Sequence, residues 1–379
     1  MRRAVVWMAI FFASAAGHSV RAAEFSLGNM ALNGYGSWYY GKSGNNNVFL
    51  DATEDGSYRS ANLHLSIAAE VTDRLRVVTQ VGWVDSEAGS ESGSEQNFDY
   101  IFAEWKLNSR IRARVGKIKM PFGIYSEFPD VGTLRPFLAL PQAAYGPVGF
   151  LGQSYKGVGL TGSFGGRWKA QWDLYGGGTE LKEDIVPEAF LVGTPVSAAE
   201  AIETEVTRDV LGGRFVVETP LAGLSAGVSA LTGSEKLGGT DRRRDVFGLQ
   251  AEYATEKLTV RGEHMHERVE RDLEATGSYV EASYRLTESW QVTAEVGRLR
   301  NEFHGVHPVG QAADLAKHDE TAVGLSYWLT PNLVLKANYL RIKGNAYAHP
   351  GAADLPAVMA AGALRQRTNV LLAGAQFTF

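Results

Sequence analysis

Polar and apolar residues alternate along most of this chain, and this alternation limits its fold more than any other feature. In the stretch RLRVVTQVGW, Leu75 and Val77 share one face while Arg76 lies on the other. Later, Val292 and Glu295 fall on opposite faces in the same way. A period of two predicts β-strands with one apolar and one polar face. Soluble sandwiches and membrane barrels both show it, so the period alone leaves both folds open.

The N-terminus has the order of a secretory signal peptide. Two arginines precede an apolar run that ends in small residues at Ala16. A small-x-Ala pattern predicts cleavage after Ala22, so residues 1–22 are the signal peptide and residues 23–379 the mature domain. The apolar run is shorter than the roughly 20 residues that a membrane-spanning helix needs. If the mature chain meets a membrane, it does so as a closed barrel, which satisfies its backbone polar groups in lipid.

Composition removes several functional classes. The chain has no cysteine, which excludes disulfide scaffolds, thiolate metal sites and cysteine nucleophiles. Its formal net charge of -5 gives no general attraction to nucleic acid. The 43 glycines, together with 8 Trp, 15 Tyr and 17 Phe, favour strands and tight turns over helices.

A short turn flanked by apolar residues recurs along the chain and favours the barrel. Seven such turns are predicted: Val71-TDR-Leu75, Leu107-NSR-Ile111, Phe164-GGR-Trp168, Thr219-PLAG-Leu224, Ala254-TEK-Leu258, Leu286-TES-Trp290 and Leu329-TPN-Leu333. Longer polar segments lie between them, at residues 85–96, 177–207, 301–317 and 344–364. Short connections at one end and long ones at the other are typical of outer-membrane barrels. The seven hairpins give fourteen strands. One strand before them, near residues 30–41 with its partner near 58–70, and one strand after them make about sixteen antiparallel strands in an up-and-down barrel.

The last strand carries a specific local pattern. QRTNVLLAGAQFTF alternates strictly and places Phe377 and Phe379 on the apolar face, with Phe379 as the final residue. This ending resembles the signal read by the bacterial barrel assembly machinery, which makes that machinery an expected partner. The resemblance assigns Phe377 and Phe379 to assembly.

One connection is too long and too rich in proline for a hairpin loop. It runs from Lys117 to about Tyr155 and contains five prolines. It follows the fifth predicted strand, the position at which sixteen-stranded porins insert a loop that narrows the lumen. The GKIKMPFG opening and the LPQAAY stretch also resemble the phosphate-selective and dicarboxylate porin-like superfamily. The resemblance implies a constriction loop over residues 117–155, whose charged residues are Lys117, Lys119, Glu127, Asp130 and Arg135.

Alternation also sorts charges onto the inward face. The third to fifth strands form a predicted basic wall of Arg74, Arg76, Lys106, Arg110, Arg112 and Arg114, joined by Lys169. The later strands form a predicted acidic wall of Glu218, Glu252, Glu263, Glu281 and Glu295, interrupted by Arg214, Arg261 and Lys336. A water-filled lumen carries charges in any case. The more specific interpretation is an electric field across the lumen, between the basic and the acidic wall, which gives the channel a weak preference for anions.

Other chemical motifs support no enzyme or cofactor. Gly157-VGLT-Gly162 fits G-x-G-x-x-G, but it lies on a predicted strand with no helix after it to bind a phosphate. His264 and His266 share a strand face without an acidic partner on that face, so neither a metal nor any other cofactor is expected. No nucleophile motif such as G-x-S-x-G is present.

The sequence therefore predicts a passive diffusion channel in the bacterial outer membrane for small hydrophilic solutes or ions, without catalytic residues. Two alternatives stay open: an enzyme barrel of the phospholipase type, and a structural or adhesive barrel with a closed lumen. The expected partners are outer-membrane lipid, lipopolysaccharide and the solutes, and the resemblance adds a homotrimer.

Overall fold

The computed structural model describes residues 25–27, 29–86, 93–129, 131–146, 150–166, 168–181, 205–237, 240–305, 308–350 and 354–379. The predicted signal peptide lies outside these residues, and its cleavage stays a prediction. No helix in the described part of the chain is long and apolar enough to cross a bilayer.

Sixteen antiparallel strands close into one barrel within the described residues, as the alternation and the turns predict. Each strand pairs with its neighbours in chain order, and the last pairs with the first, from Val370 opposite Ser43 to Thr378 opposite Tyr35. A three-residue strand, Phe25–Leu27, adds to the start of the first strand. The barrel strands are β1 (Met30–Ser43), β2 (Ser57–Glu70), β3 (Leu75–Ser86), β4 (Gly93–Lys106), β5 (Ile111–Lys119), β6 (Ser154–Phe164), β7 (Lys169–Leu181), β8 (Glu205–Glu218), β9 (Leu224–Leu237), β10 (Thr240–Ala254), β11 (Leu258–Val269), β12 (Leu273–Arg285), β13 (Trp290–Phe303), β14 (Lys317–Thr330), β15 (Leu333–Lys343) and β16 (Arg367–Thr378).

The two faces of the strands differ as the alternation predicts. On β13, Val292 and Val296 are 37% and 55% exposed, whereas Thr293 and Glu295 are each 5% exposed. On β15, Leu335 and Tyr339 are exposed, whereas Lys336 and Asn338 between them are buried. An exposed apolar face around a closed sheet is the surface that lipid requires. The polar face therefore lines the inside of the barrel.

All seven predicted turns join neighbouring strands at the same end of the barrel. In three of them the threonine hydroxyl closes the turn by accepting a hydrogen bond from the amide three residues later. The oxygen to nitrogen distances are 3.0 Å for Thr72 and Leu75, 2.9 Å for Thr255 and Leu258, and 3.0 Å for Thr287 and Trp290. Local side-chain chemistry therefore explains why the T-x-x-apolar pattern recurs in the sequence.

The opposite end differs in part from the predicted long loops. The strands extend into the segment predicted at 85–96, because β3 runs to Ser86 and β4 begins at Gly93. Two connections are tight: Leu237 pairs directly with Thr240, and residues 270–272 alone join β11 to β12. Long connections do occur at 304–316 and 344–366, which contain a 3₁₀ turn (Gly310–Asp314) and a short helix, α2 (Leu355–Ala360). Most of the 177–207 segment lies outside the described residues.

The connection between β5 and β6 lies inside the barrel. Residues 120–153 carry a 3₁₀ turn (Gly132–Leu134) and one helical turn, α1 (Gln142–Tyr145). Their buried apolar side chains form one cluster with inward-facing residues of the wall. The cluster includes Phe122, Tyr125, Phe137, Phe150, Met265, Tyr279 and Leu340. Most of the apolar core of this protein is therefore the contact between this segment and the barrel wall.

The seam between β16 and β1 depends on the C-terminal residue. Phe379 and Gly34 exchange two backbone hydrogen bonds, with nitrogen to oxygen distances of 2.8 and 2.9 Å. The Phe379 ring lies over Gly34 so closely that a Cβ atom there would be 2.1 Å from the ring. Phe377 covers Gly36 in the same way. The two aromatic rings thus fill the space that two glycines leave on the outer face, a known way to support glycine in a sheet.

We predict that cysteine labelling will distinguish the two ends of the barrel. Because the chain has no cysteine, single substitutions give unambiguous sites. Val309→Cys and Ala361→Cys lie in exposed loops at the long-connection end, and a membrane-impermeant maleimide should label them on intact cells. Ser109→Cys and Glu288→Cys lie in exposed short turns and should be labelled only after the outer membrane is opened. The opposite result would invert the topology.

Deletion of Phe379 should reduce assembly more than it reduces the stability of the finished barrel. The deletion removes two hydrogen bonds of about 1 kcal/mol each from a ladder of sixteen strands. It also removes the predicted recognition signal. Less heat-modifiable protein should be found in the outer membrane, while refolding into detergent in vitro stays largely intact. Phe164→Ala, which removes an exposed ring at the same end of β6, is the control and should assemble normally.

Candidate pore constriction

The inserted segment, residues 120–153, is bound to the later half of the barrel wall by hydrogen bonds to inward-facing side chains. The Leu138 amide donates to Oδ1 of Asn338 on β15 at 2.8 Å. The Ala143 amide donates to Oε1 of Glu320 on β14 at 3.1 Å. Lys336, also on β15, donates to the Gly132 carbonyl at 2.8 Å. Polar wall residues therefore satisfy the backbone groups of a segment that has no sheet partners of its own.

A carboxylate on β11 makes the densest of these contacts. Glu263 accepts hydrogen bonds from the hydroxyls of Tyr145 and Tyr279 at 2.6 Å each and from the Ile124 amide at 2.8 Å. Burial and the nearby Glu263 carboxylate raise the pKa of the Tyr145 hydroxyl well above its usual range. The hydroxyl therefore stays protonated and remains a donor. We call this group of hydrogen bonds around Glu263 the Glu263 latch. Gly123 has a φ of 66°, and a Cβ atom there would lie 2.4 Å from Glu263, so only glycine fits beside the latch.

A second latch lies one strand further on. The Tyr125 hydroxyl donates to Glu281 on β12 and accepts from Nη1 of Arg261 on β11 at 2.9 Å. Arg261 is also ion-paired with Glu252 on β10. Hydrogen bonds to polar and charged side chains thus hold the segment on β11, β12, β14 and β15.

The predicted acidic wall is largely covered by the inserted segment. Glu263, Glu281 and Glu295 face inward, but each is at most 5% exposed. Glu252 is partly exposed beside Arg261, and Glu218 lies at the short-turn end, 3.2 Å from Lys169. Three of the five carboxylates are therefore buried where the loop packs on the later strands, and two of them, Glu263 and Glu281, bond to the loop directly. Alternation predicts their inward direction but carries no information on what covers them.

Three residues of the predicted basic wall meet around one carboxylate that the sequence analysis missed. Glu104 on β4 lies 2.8 Å from Arg76 on β3, 2.8 Å from Arg114 on β5 and 3.6 Å from Arg112 on β5. Arg76 and Arg114 are each directly opposite Glu104 in the strand register. The sequence does indicate that Glu104 faces inward, because it lies two residues before Lys106 on the same strand. Its arginine partners, however, follow only from the pairing register of the strands. We call Glu104, Arg76, Arg112 and Arg114 the arginine cluster.

A related group lies beside it on β7 and β8. Arg214 is 2.9 Å from Asp173, which is directly opposite in the register, and 2.5 Å from Glu127 of the inserted segment. Glu127, one of the predicted constriction-loop residues, is therefore ion-paired with Arg214 of the wall. Asp173 was not among the predicted site residues, although its parity is inward. Asp130 lies outside the described residues.

The other predicted site residues lie elsewhere. Arg74 and Arg110 are exposed in short turns, and Lys106 and Lys169 are exposed at the same end of the barrel. Lys117 and Lys119 belong to the end of β5 and not to the loop, because strand pairing continues to Lys119 opposite Ser154. Lys119 is 2.7 Å from Asp99, and Lys117 donates to the Phe98 carbonyl at 2.7 Å. Arg135 is half-buried in the inserted segment, where its carbonyl accepts a hydrogen bond from Lys336.

The histidine pair faces outward. His264 bonds Ser278 through Nδ1 at 2.8 Å, and His266 lies 3.4 Å from Glu274. Glu274 belongs to the neighbouring strand β12, so the face of β11 that carries the two histidines has no acidic residue of its own. Within the described residues, no group of three or more His, Asp or Glu is arranged to hold a metal ion.

Comparisons with known families and with solved structures agree with the barrel fold described above. The sequence model of the family described as phosphate-selective porin O and P matches residues 240–379. No curated protein sequence matches the chain.

Three solved structures share the fold. The anion-selective porin of Comamonas acidovorans is 14% identical, with a TM-score of 0.56 over 92% of this chain and 99% of that one. The outer-membrane channel DcaP of Acinetobacter baumannii is 10% identical, with a TM-score of 0.56 over 93% and 99%. The trimer form of OmpT, an outer-membrane protein of Vibrio cholerae, is 12% identical, with a TM-score of 0.52 over 93% and 100%. With the closed sheet, the inserted segment and the family match, the chain is a sixteen-stranded porin-like barrel of the bacterial outer membrane.

Proposed function

We propose that this barrel is a passive diffusion channel for small hydrophilic solutes or ions, with a weak preference for anions. One observation carries the proposal: a segment between β5 and β6 lies inside the lumen and is bound to the wall by buried carboxylates. The free cross-section then borders the arginine cluster on β3 to β5. A loop fixed in this way narrows a pore and brings charges close to any passing solute.

The charges at the narrow part support the direction of the preference. The arginine cluster and the Arg214 group together hold four arginines and three carboxylates, Glu104, Asp173 and Glu127. Low-dielectric walls strengthen the field of such groups, and salt screens it over ~8 Å at physiological ionic strength. Arg112 is the most exposed of the cluster, with 43% of its side chain accessible, so its charge acts most directly on the aqueous path. One net positive charge gives a weak preference.

The proposal includes no covalent step and no catalytic residue. An enzyme barrel would need a nucleophile beside a base, and a closed structural barrel would not conduct. Purified protein in a planar bilayer distinguishes the three functions. Stepwise conductance without added substrate supports the channel, and its absence from folded protein would contradict it.

We further propose a homotrimer. The trimer form of the Vibrio cholerae OmpT and the family resemblance support this assembly for the same fold. Three-step closure in the bilayer and a trimeric mass in mild detergent are the expected results. A monomeric mass with single-step closure would contradict it.

Loosening the loop should change the current through the channel. Tyr145→Phe removes one hydrogen bond to Glu263, and Glu263→Gln weakens three. We expect larger and noisier single-channel conductance, with the stronger effect in Glu263→Gln, because the loop leaves the wall more often. Tyr339→Phe, on the lipid-facing side of β15, is the matched control and should behave like the wild type. Unchanged traces in both loop variants would show that the latch does not set the constriction.

Replacing arginines of the cluster should shift ion selectivity. Arg112→Gln, and more strongly the Arg112→Gln and Arg114→Gln double variant, should move the reversal potential under a salt gradient toward cations. A unit charge at about 8 Å in water contributes about 0.5 kcal/mol, roughly a twofold change in the permeability ratio. The shift should be larger at low salt.

Two further variants test this selectivity. Glu104→Gln should shift the reversal potential toward anions, because it removes the carboxylate that the three arginines share. Arg110→Gln, in an exposed turn, is the control and should have little effect. An unchanged reversal potential in the double variant would show that the arginine cluster does not border the conducting path.

A further inference from the structure

Three inward-facing carboxyl groups lie side by side on β12, β13 and β14, where the inserted segment covers the wall. Glu281 on β12 is directly opposite Glu295 on β13 in the strand register. Glu320 on β14 is opposite Gly297, the next inward-facing residue after Glu295. Each of the three acidic residues is at most 5% exposed. Negative charges this close together in a buried site repel each other strongly unless a cation or a proton lies among them.

Arginine and lysine balance these charges only in part. Glu281 lies 3.6 Å from Arg261. In the part of the chain that the structure describes, no lysine or arginine lies within 4 Å of the carboxyl groups of Glu295 and Glu320. The basic side chain beside them is His318, whose Nε2 is 3.2 Å from Glu320. Even a charged imidazole would balance only one of the two carboxylates.

A hydrogen bond joins the carboxyl groups of Glu295 and Glu320, which we call the acid pair. Ionised carboxylates only accept hydrogen bonds, so this bond needs a proton on one of the two groups. The proton belongs to the pair and not to either residue. Gly297 gives the pair its room, because a Cβ atom there would lie 2.8 Å from Oε1 of Glu320.

Glu320 also connects the acid pair to the inserted segment. Its Oε1 accepts the hydrogen bond from the Ala143 amide of α1 at 3.1 Å. The backbone of α1 lies against β12, where a Cβ atom at Gly277 would be 2.0 Å from the Ala143 carbonyl oxygen. Glu295 makes no hydrogen bond to the segment within the residues that the structure describes. Its influence on the constriction therefore passes through Glu320.

Other titratable groups surround the acid pair. Tyr279 and Glu281 face it from β12, His318 from β14 and Tyr145 from the inserted segment. Tyr347, from the connection before β16, packs on His318 with the ring centroids 5.2 Å apart. The Tyr145 hydroxyl stays protonated, as described above, and Glu281 has its arginine partner. A change of charge at His318 therefore has to be tested separately from one at the acid pair.

We propose that Glu295 is a positioning residue for the constriction, because the proton that it shares with Glu320 keeps Glu320 in place to bind the Ala143 amide. This inference rests on the proposed channel function. The closed arrangement holds one proton more than an open one in which both carboxylates are ionised and hydrated. Rising pH therefore favours release of α1 from the wall, and falling pH favours its retention. The pore is expected to be narrower at low pH and wider at high pH.

The first test measures single-channel conductance of the purified full-length mature protein from about pH 5 to about pH 9. Wild-type conductance should rise and become noisier with pH as the shared proton leaves. Glu295→Gln should keep the narrow state over the whole range, because its amide donates to Glu320 at every pH. Glu302→Gln is the matched control. Glu302 is also directly opposite a glutamate, Glu274, but on the exposed outer face, so this variant should respond like the wild type.

A second measurement does not depend on conduction. Ala144, on α1, is 4% exposed, so the thiol of Ala144→Cys reports the release of α1 from the wall. At about pH 9, iodoacetamide should modify it roughly tenfold faster in the wild-type background than in the Glu295→Gln background. This is the factor expected when one charge-assisted hydrogen bond is lost. Both backgrounds are compared at the same pH, so the reactivity of the thiol itself cancels.

The outcomes separate this inference from the channel function. Equal labelling in the two backgrounds, or a pH response that persists in Glu295→Gln, would overturn the proposal. Loss of the response in His318→Gln would assign the proton to that imidazole and would also overturn it. Conductance without any pH response would support the channel and overturn the role of Glu295. The expected labelling without conductance would contradict the channel and support the role of Glu295 in holding α1.

Discussion

The closed ladder of backbone hydrogen bonds is the constraint on which the rest of this structure depends. Lipid offers no partner to an amide or a carbonyl, so every strand edge in the bilayer must be paired. The chain meets this requirement by pairing its last strand with its first, and the terminal Phe379 completes that seam at Gly34. Once the sheet is closed, alternation alone divides the side chains between lipid and lumen. The inward charges and the outward apolar belt both follow from it.

Inside the barrel, the inserted segment replaces the core that a soluble protein would have. Its aromatic side chains pack against apolar residues of the wall, and its backbone groups bond to Glu263, Glu320 and Asn338. Burying a carboxylate is costly unless it accepts several hydrogen bonds, which is why Glu263 has three donors. In the channel that we propose, the same contacts that stabilise the segment also fix the width of the aqueous path.

Much of the fold could be predicted, because its signals are local. The alternation around Val292 needs only neighbouring residues, and the Thr287 turn needs only the amide three positions later. The arginine cluster could not be predicted in full, since Glu104 meets Arg76 and Arg114 through the register of three strands. The alternation along β12 predicts that Glu281 points inward. That the inserted segment covers Glu281 follows only from the course of residues 120–153 through the barrel. That path depends on contacts far apart in sequence, which periodicity does not contain.

The inserted segment also sets an order of events during folding. Its contacts with Glu263, Glu320 and Asn338 span 139, 177 and 200 positions along the chain. Turns of the Thr72 type can form as soon as their own residues are present, whereas contacts of such long range form late. The strands whose side chains bond to the segment all follow it in the sequence, so it has no binding surface until β11 to β15 are in place. A barrel that closes before this step would pass through a wide-bore stage, and the last event of maturation would be the narrowing of the pore.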